Sequence, residues 1–105
     1  PLVVERKSLG DAWGTMTSGY PRFRRELDRA KASNTKLVLA IEATYQGVLN
    51  GFERSEFTGD SMAQKLATLY AKYGLEIWYA GSKKLLARMV YEVFAAIGRG
   101  YAKTA

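Results

Sequence analysis

The chain contains no cysteine and no histidine. The first absence rules out disulfides and thiolate metal sites. The second removes the usual zinc sites, histidine general bases, and Ser-His or Cys-His catalysis. Prolines are limited to Pro1 and Pro21, and no apolar run approaches the ~20 residues of a membrane span. No repeat, linker, low-complexity tract or signal peptide is visible. Any chemistry must therefore run on carboxylates, lysine and arginine. Such hard oxygen donors favour Mg²⁺ or Mn²⁺ over softer metals.

Against these absences stands an excess of positive charge. Sixteen lysines and arginines face ten acids, a net charge of +6. That balance favours a polyanionic partner, nucleic acid first. A length of 105 residues is enough for one modest domain and too short for two. With 48% apolar residues the chain can build a core, and disorder is not expected.

The apolar run Leu2-Val3-Val4 leads into Glu5-Arg6-Lys7-Ser8-Leu9-Gly10-Asp11. On a strand, alternate side chains share a face, so Glu5 and Lys7 point together about 6.6 Å apart while Arg6 points away. A carboxylate and an ammonium on one face could grip a divalent ion and a phosphate together. Charged strand ends are also common in proteins that do neither, and Glu-x-Lys by itself does not separate the two.

The longer string Glu5-Arg6-Lys7, three residues, Asp11 is more specific. It resembles the signature of the XPF/Hef family of structure-specific DNA endonucleases. In that family, Gly-Asp on an earlier strand precedes Glu-Arg-Lys, three residues and Asp. The rest of the chain is similar over nearly its whole length. A basic helical segment at Tyr20-Pro21-Arg22-Phe23-Arg24-Arg25-Glu26-Leu27 is followed by an apolar strand ending in an acid, Leu37 to Glu42. A helix, a strand over 75–80 and a long closing helix complete the order. Only four residues precede Glu5, so the upstream Gly-Asp is not in this sequence. The expectation is one nuclease-type domain over 1–105, truncated at its N-terminus and starting in mid-strand.

The resemblance implies a restriction-endonuclease-like α/β/α sandwich around a central mixed sheet, lacking its N-terminal strand or strands. It implies a metal-dependent endonuclease for branched or flapped DNA, with Mg²⁺ or Mn²⁺ as cofactor. Glu5 would be a metal ligand beside the absent upstream Asp. Lys7 would orient the attacking water or stabilise charge on the phosphorane, and Asp11 would hold Lys7 or Arg6, or reach the metal through water. Arg6 joins the catalytic set by resemblance, though its strand face suggests a tie to the fold or to Asp11. Arg22, at a spot resembling a family arginine, and Arg25 are expected to touch DNA. Two other readings stay open: a non-catalytic DNA-binding or scaffolding subunit, and another restriction-like or junction-resolving nuclease. Under each of the three readings the protein is expected inside the cell, in the cytoplasm or nucleoid if prokaryotic or viral and in the nucleus if eukaryotic.

Patterning predicts a strand over 2–7 and a helical turn through Trp13 and Met16 capped by Ser8 or Asp11. A helix over 22–32 is headed by Pro21, and a buried strand covers 37–42. Further on come a helical turn over 45–50, a polar loop with Phe52 and Phe57 exposed, and a helix over 60–73 capped by Asp60 and stopped by Gly74. A strand over 75–80 precedes a helix from Lys83 to about residue 101 capped by Ser82. Alternation of this kind builds a parallel or mixed sheet with helices on both faces. The last helix carries a wide stripe, Leu85, Leu86, Met89, Val90, Val93, Phe94 and Ile97. Half is expected in the core, and half as a homo- or heterodimer surface. Glu42 is either a further acid near the metal or a cap for the following helix. Trp13, Tyr20 and Phe57 are either core or base-stacking platforms. Lys83 and Lys84 oppose the dipole of the helix they begin, which hints at a ligand.

Overall fold

A computed structural model describes residues 1–100 of the protein. The chain runs β1 (Leu2–Lys7), α1 (Leu9–Met16), α2 (Tyr20–Ala32), β2 (Lys36–Ile41), α3 (Tyr45–Leu49), α4 (Gly59–Tyr73), β3 (Glu76–Tyr79) and α5 (Lys83–Gly98). The strands form one sheet in the order β1-β2-β3, and both pairings are parallel. The antiparallel member expected of a mixed sheet is absent among the described residues. No helix there is long and apolar enough to cross a membrane.

Burial explains the central strand. Val38, Leu39, Ala40 and Ile41 of β2 are fully buried, which is why this strand is continuously apolar rather than alternating. Leu39 and Ile41 face the larger core layer, with Trp13 and Met16 of α1, Phe23 and Leu27 of α2, and Met62, Leu66 and Leu69 of α4. Ala40 faces the opposite side, where Leu86, Met89 and Val90 of α5 pack over Val4, Trp78 and Ala80. Helices thus cover both faces of the sheet, as the alternation requires. The register pairs Glu5 with Leu39 and Lys7 with Ile41, so both charged residues project on the α1–α2 side.

Small hydroxyl residues set the helix starts. Ser8 accepts a hydrogen bond from the Asp11 N–H at 3.1 Å, leaving no loop between β1 and α1. Ser82 does the same for α5, accepting from Leu85 N–H at 3.1 Å. At α4 the cap is Thr58 rather than Asp60: its hydroxyl accepts from Ser61 N–H at 3.1 Å. Asp60 instead lies in the first turn, where a carboxylate complements the helix dipole. Gly74 ends the helix as expected, with φ +69°. Helix α2 begins two residues before the expected start, with Pro21 in its first turn, where a missing N–H costs no hydrogen bond. Strand β3 is shorter than expected, and Leu75 and Ala80 are buried just outside it. Helix α5 ends at Gly98; residue 101 lies outside the described residues.

One expectation about apolar residues is revised. Phe52 and Phe57 are not exposed loop aromatics but half-buried, with ring centroids 6.0 and 6.3 Å from that of Trp13. Trp13 is buried and donates its indole N–H to Phe57 O at 3.0 Å, so its ring offers no base-stacking face. On α5 only Leu86 is fully buried, while Leu85 (59%), Tyr91 (68%), Phe94 (43%) and Ile97 (39%) are exposed.

The tightest backbone approach is between α3 and α4. A Cβ on Gly59 would collide with the carbonyls of Leu49 and Val48. Gly59→Ala is therefore expected to cost about 3 kcal/mol of stability, since overpacking against backbone cannot relax by a rotamer change. Gly98→Ala, with nothing within 4 Å of the added methyl, should be neutral or mildly stabilising. Equal urea midpoints for the two variants would contradict the close approach.

Candidate functional site

In a parallel sheet with helical crossovers, ligands bind beyond the carboxyl ends of the strands. That is where β1 delivers its charged residues. Lys7 Nζ lies 3.5 Å from Glu5 Oε1, and both side chains are 25% exposed. The carboxylate and ammonium share a strand face as the alternation dictates, and both remain reachable from solvent. Because Ser8 turns the chain straight into α1, Asp11 follows one short turn later on the same opening.

These groups line a cavity of about 580 Å³. One side carries Glu5, Lys7, Gly10, Asp11 and Gly14 from β1 and α1; the other carries Arg22, Glu26 and Arg29 from α2. Positions 22, 26 and 29 are spaced i, i+4, i+7, which places them on one helix face. The opposite pattern of α2, Phe23 and Leu27, is buried in the core and fixes that face toward the opening. The turn between the helices closes the wall: Gly19 N–H donates to Gly14 O at 2.9 Å, and Thr17 Oγ1 to Trp13 O at 2.8 Å. Lys65 of α4 locks this corner from behind. Its ammonium donates to Met16 O at 2.8 Å at the end of α1 and lies 3.6 Å from the ring centre of Tyr20. Burial pushes the Lys65 ammonium below its usual pKa. Tyr20 is thereby occupied by a lysine rather than open to a base.

The structure brings Glu5, Lys7, Asp11 and Arg22 to one cleft. It does not bring the others there. Arg6 is exposed on the opposite strand face and makes no ion pair with Asp11 among the described residues; Asp11 likewise pairs with neither Arg6 nor Lys7. Lys7 is partnered by Glu5 instead. Arg25 is exposed but lies outside the cleft lining, since three residues on from Arg22 the helix has turned past the wall. Glu42 also lies outside the lining; its N–H donates to Lys7 O at 2.9 Å, extending the sheet ladder. Nor does Glu42 cap the following helix, because Thr44 accepts from Gly47 N–H at 2.9 Å. Lys83 and Lys84 are exposed and take no part in the cleft. Glu26 and Arg29 are the cleft residues that the motif did not single out. Counting i+4 and i+7 from Arg22 would have found both.

An acid–lysine pair, a quarter exposed, stands at the carboxyl end of a parallel sheet in a cleft also lined by Arg22 and Arg29. The profile of the ERCC4 domain family matches residues 1–93, and the chain belongs to that family. The fold of the family is restriction-endonuclease-like, in keeping with the resemblance carried by Glu5, Arg6, Lys7 and Asp11. Membership points to a nuclease acting on structured DNA, and nucleases of the family generally use divalent metals. No curated protein and no solved structure matches the chain.

Among the described residues no three acids stand close enough to cage a metal ion. The cleft suits a different mode. Mg²⁺ is commonly held by one or two carboxylates, with waters and substrate phosphate completing its shell. Glu5 and Asp11 supply hard oxygen donors of that kind on one opening, and the donor chemistry fits the ion.

Proposed function

We propose that residues 1–105 form one nuclease-type domain, a metal-dependent endonuclease that hydrolyses phosphodiesters in branched or flapped DNA. The observation that carries the reading is the 3.5 Å pair of Glu5 and Lys7 on a cleft shared with Asp11 and Arg22, in a chain of the ERCC4 domain family. Glu5 would hold the Mg²⁺ or Mn²⁺ directly, and Asp11 through water. When bound, the ion supplies Lewis acidity toward the phosphate and acidifies a water. Lys7, beside the ligand carboxylate, orients the attacking water or donates to the phosphoryl oxygens as negative charge builds on them. The water oxygen bonds to phosphorus and gives its proton up to solvent, the bond from phosphorus to the leaving oxygen breaks, and that oxygen takes up a proton from solvent. Arg22 fixes the substrate backbone against the opposite wall. Arg6, exposed on the far strand face, and Arg25, exposed beyond the cleft, would act only on DNA outside the reacting phosphate.

Nothing on these walls is arranged to read base edges, so recognition rests on backbone shape and charge. The exposed apolar side chains of α5, from Leu85 to Ile97, suit a second copy or a related partner chain. The substrate would place the protein inside the cell with its genome. The test is cleavage of a flap, a fork and a linear duplex of one sequence, by the protein as its gene encodes it. Cutting near the junction with Mg²⁺ or Mn²⁺, abolished by EDTA, is expected. Equal cutting of the linear duplex, or cutting that persists in EDTA, would count against the proposal.

A further inference from the structure

We propose that the cleft seats one strand of the DNA lengthwise along α2, with Arg22 and Arg29 each holding a different backbone phosphate of that strand. This rests on the endonuclease reading above and adds the path of the substrate, which that reading leaves open.

Both arginines line the cleft, on one face of a rigid 13-residue helix. Neither makes an ion pair or a side-chain hydrogen bond among the described residues, although Glu26 lies between them on the same wall. Cations left unpaired beside an available carboxylate are set for an external anion. Seven residues of α-helix rise about 10.5 Å. A DNA strand winds about its axis, so its successive phosphates lie further apart than their axial rise of about 3.4 Å, and a strand laid along the helix meets the two guanidiniums with different phosphates. Glu26 disfavours a phosphate directly opposite it, which leaves the outer two as those held. The depression does not stop at Arg29. A second hollow, also lined by Glu26 and Arg29, continues past Val3, Ser33 and Thr35, so the trough follows α2 beyond the reacting end. Lys7 and Glu5 stand at the Arg22 end, which makes Arg29 the distal anchor. A lone basic residue in the last turn of a helix can serve only to complement the dipole. Lys31 already fills that role in the same turn, and it is Arg29 that faces the cleft.

The test is binding of a fluorescent flap substrate in EDTA, where nothing is cut and the junction fixes the register. Arg22→Ala and Arg29→Ala should each flatten the plot of log affinity against log salt by about 0.7 to 0.9 unit, and Arg29→Lys should restore it. Lys84 is exposed and outside the cleft, and Lys84→Ala should leave the slope unchanged. Single phosphates in the strand are then replaced by neutral methylphosphonates. The position to which Arg29→Ala becomes indifferent should differ from the one to which Arg22→Ala becomes indifferent, and lie further from the cleaved bond. Binding that persists while both variants lose the same position, or while Lys84→Ala flattens the slope as much as Arg29→Ala, overturns the path and leaves the endonuclease reading standing. A wild-type protein that binds no flap at all removes both.

Discussion

Lys7→Ala should lower single-turnover cleavage of a flap substrate by roughly a hundredfold or more, which is the scale of removing one preorganised donor from a developing oxyanion. On the proposed reading this residue serves the reaction rather than binding. Its ammonium is held 3.5 Å from Glu5 on the same strand face, at the mouth of the cleft. A charge fixed there costs no reorganisation as the phosphorane forms. Binding should weaken far less, because one lysine adds one phosphate contact among several. Stability should barely change: both partners are a quarter exposed, and ion pairs at that exposure contribute little. A loss of affinity as large as the loss of rate would mean that Lys7 only anchors DNA.

Glu5→Gln should abolish metal-dependent cutting outright. The substitution keeps size and hydrogen bonding but removes the ligand charge, and a hard divalent ion is held chiefly by that charge. Asp11, exposed and on the first turn of α1, is not placed to replace it as a direct ligand. The same change frees Lys7 from its only ion-pair partner among the described residues, so DNA binding should hold steady or tighten slightly. Mn²⁺ binding, followed by its electron paramagnetic resonance signal, should weaken in parallel with cutting. Unaltered Mn²⁺ affinity in Glu5→Gln would place the ion elsewhere.

The pairing of Glu5 with Lys7 was legible because strand alternation leaves no other choice once Leu2 to Val4 mark a strand. The buried strand at 36–41 was legible for a similar reason: five consecutive apolar residues are too few for a helix and too many for a surface strand. What escaped depended on packing between elements distant in sequence. Whether Arg25 or Arg29 joins Arg22 at the cleft is decided by how Phe23 and Leu27 rotate α2 into the core. The roles given to Phe52 and Phe57 turned on Trp13, some forty residues away, which draws both rings inward. Asp60 was the expected cap of α4; Thr and Asp both cap well, and the cap falls on Thr58, two residues earlier. Lys65 gave no signal of its own, since its acceptor is the main-chain oxygen of Met16 and not a side chain.

The most direct measurement sets wild type, Lys7→Ala and Glu5→Gln side by side, each saturating the same flap substrate with Mg²⁺, in the protein as its gene encodes it. Cleavage and binding are read from the same samples. The account predicts that wild type cuts near the junction, and that both variants bind with nearly wild-type affinity while cutting at most about one hundredth as fast. Wild type that binds but cuts no better than Glu5→Gln would contradict it, and would make this cleft a DNA-holding surface of a scaffolding subunit.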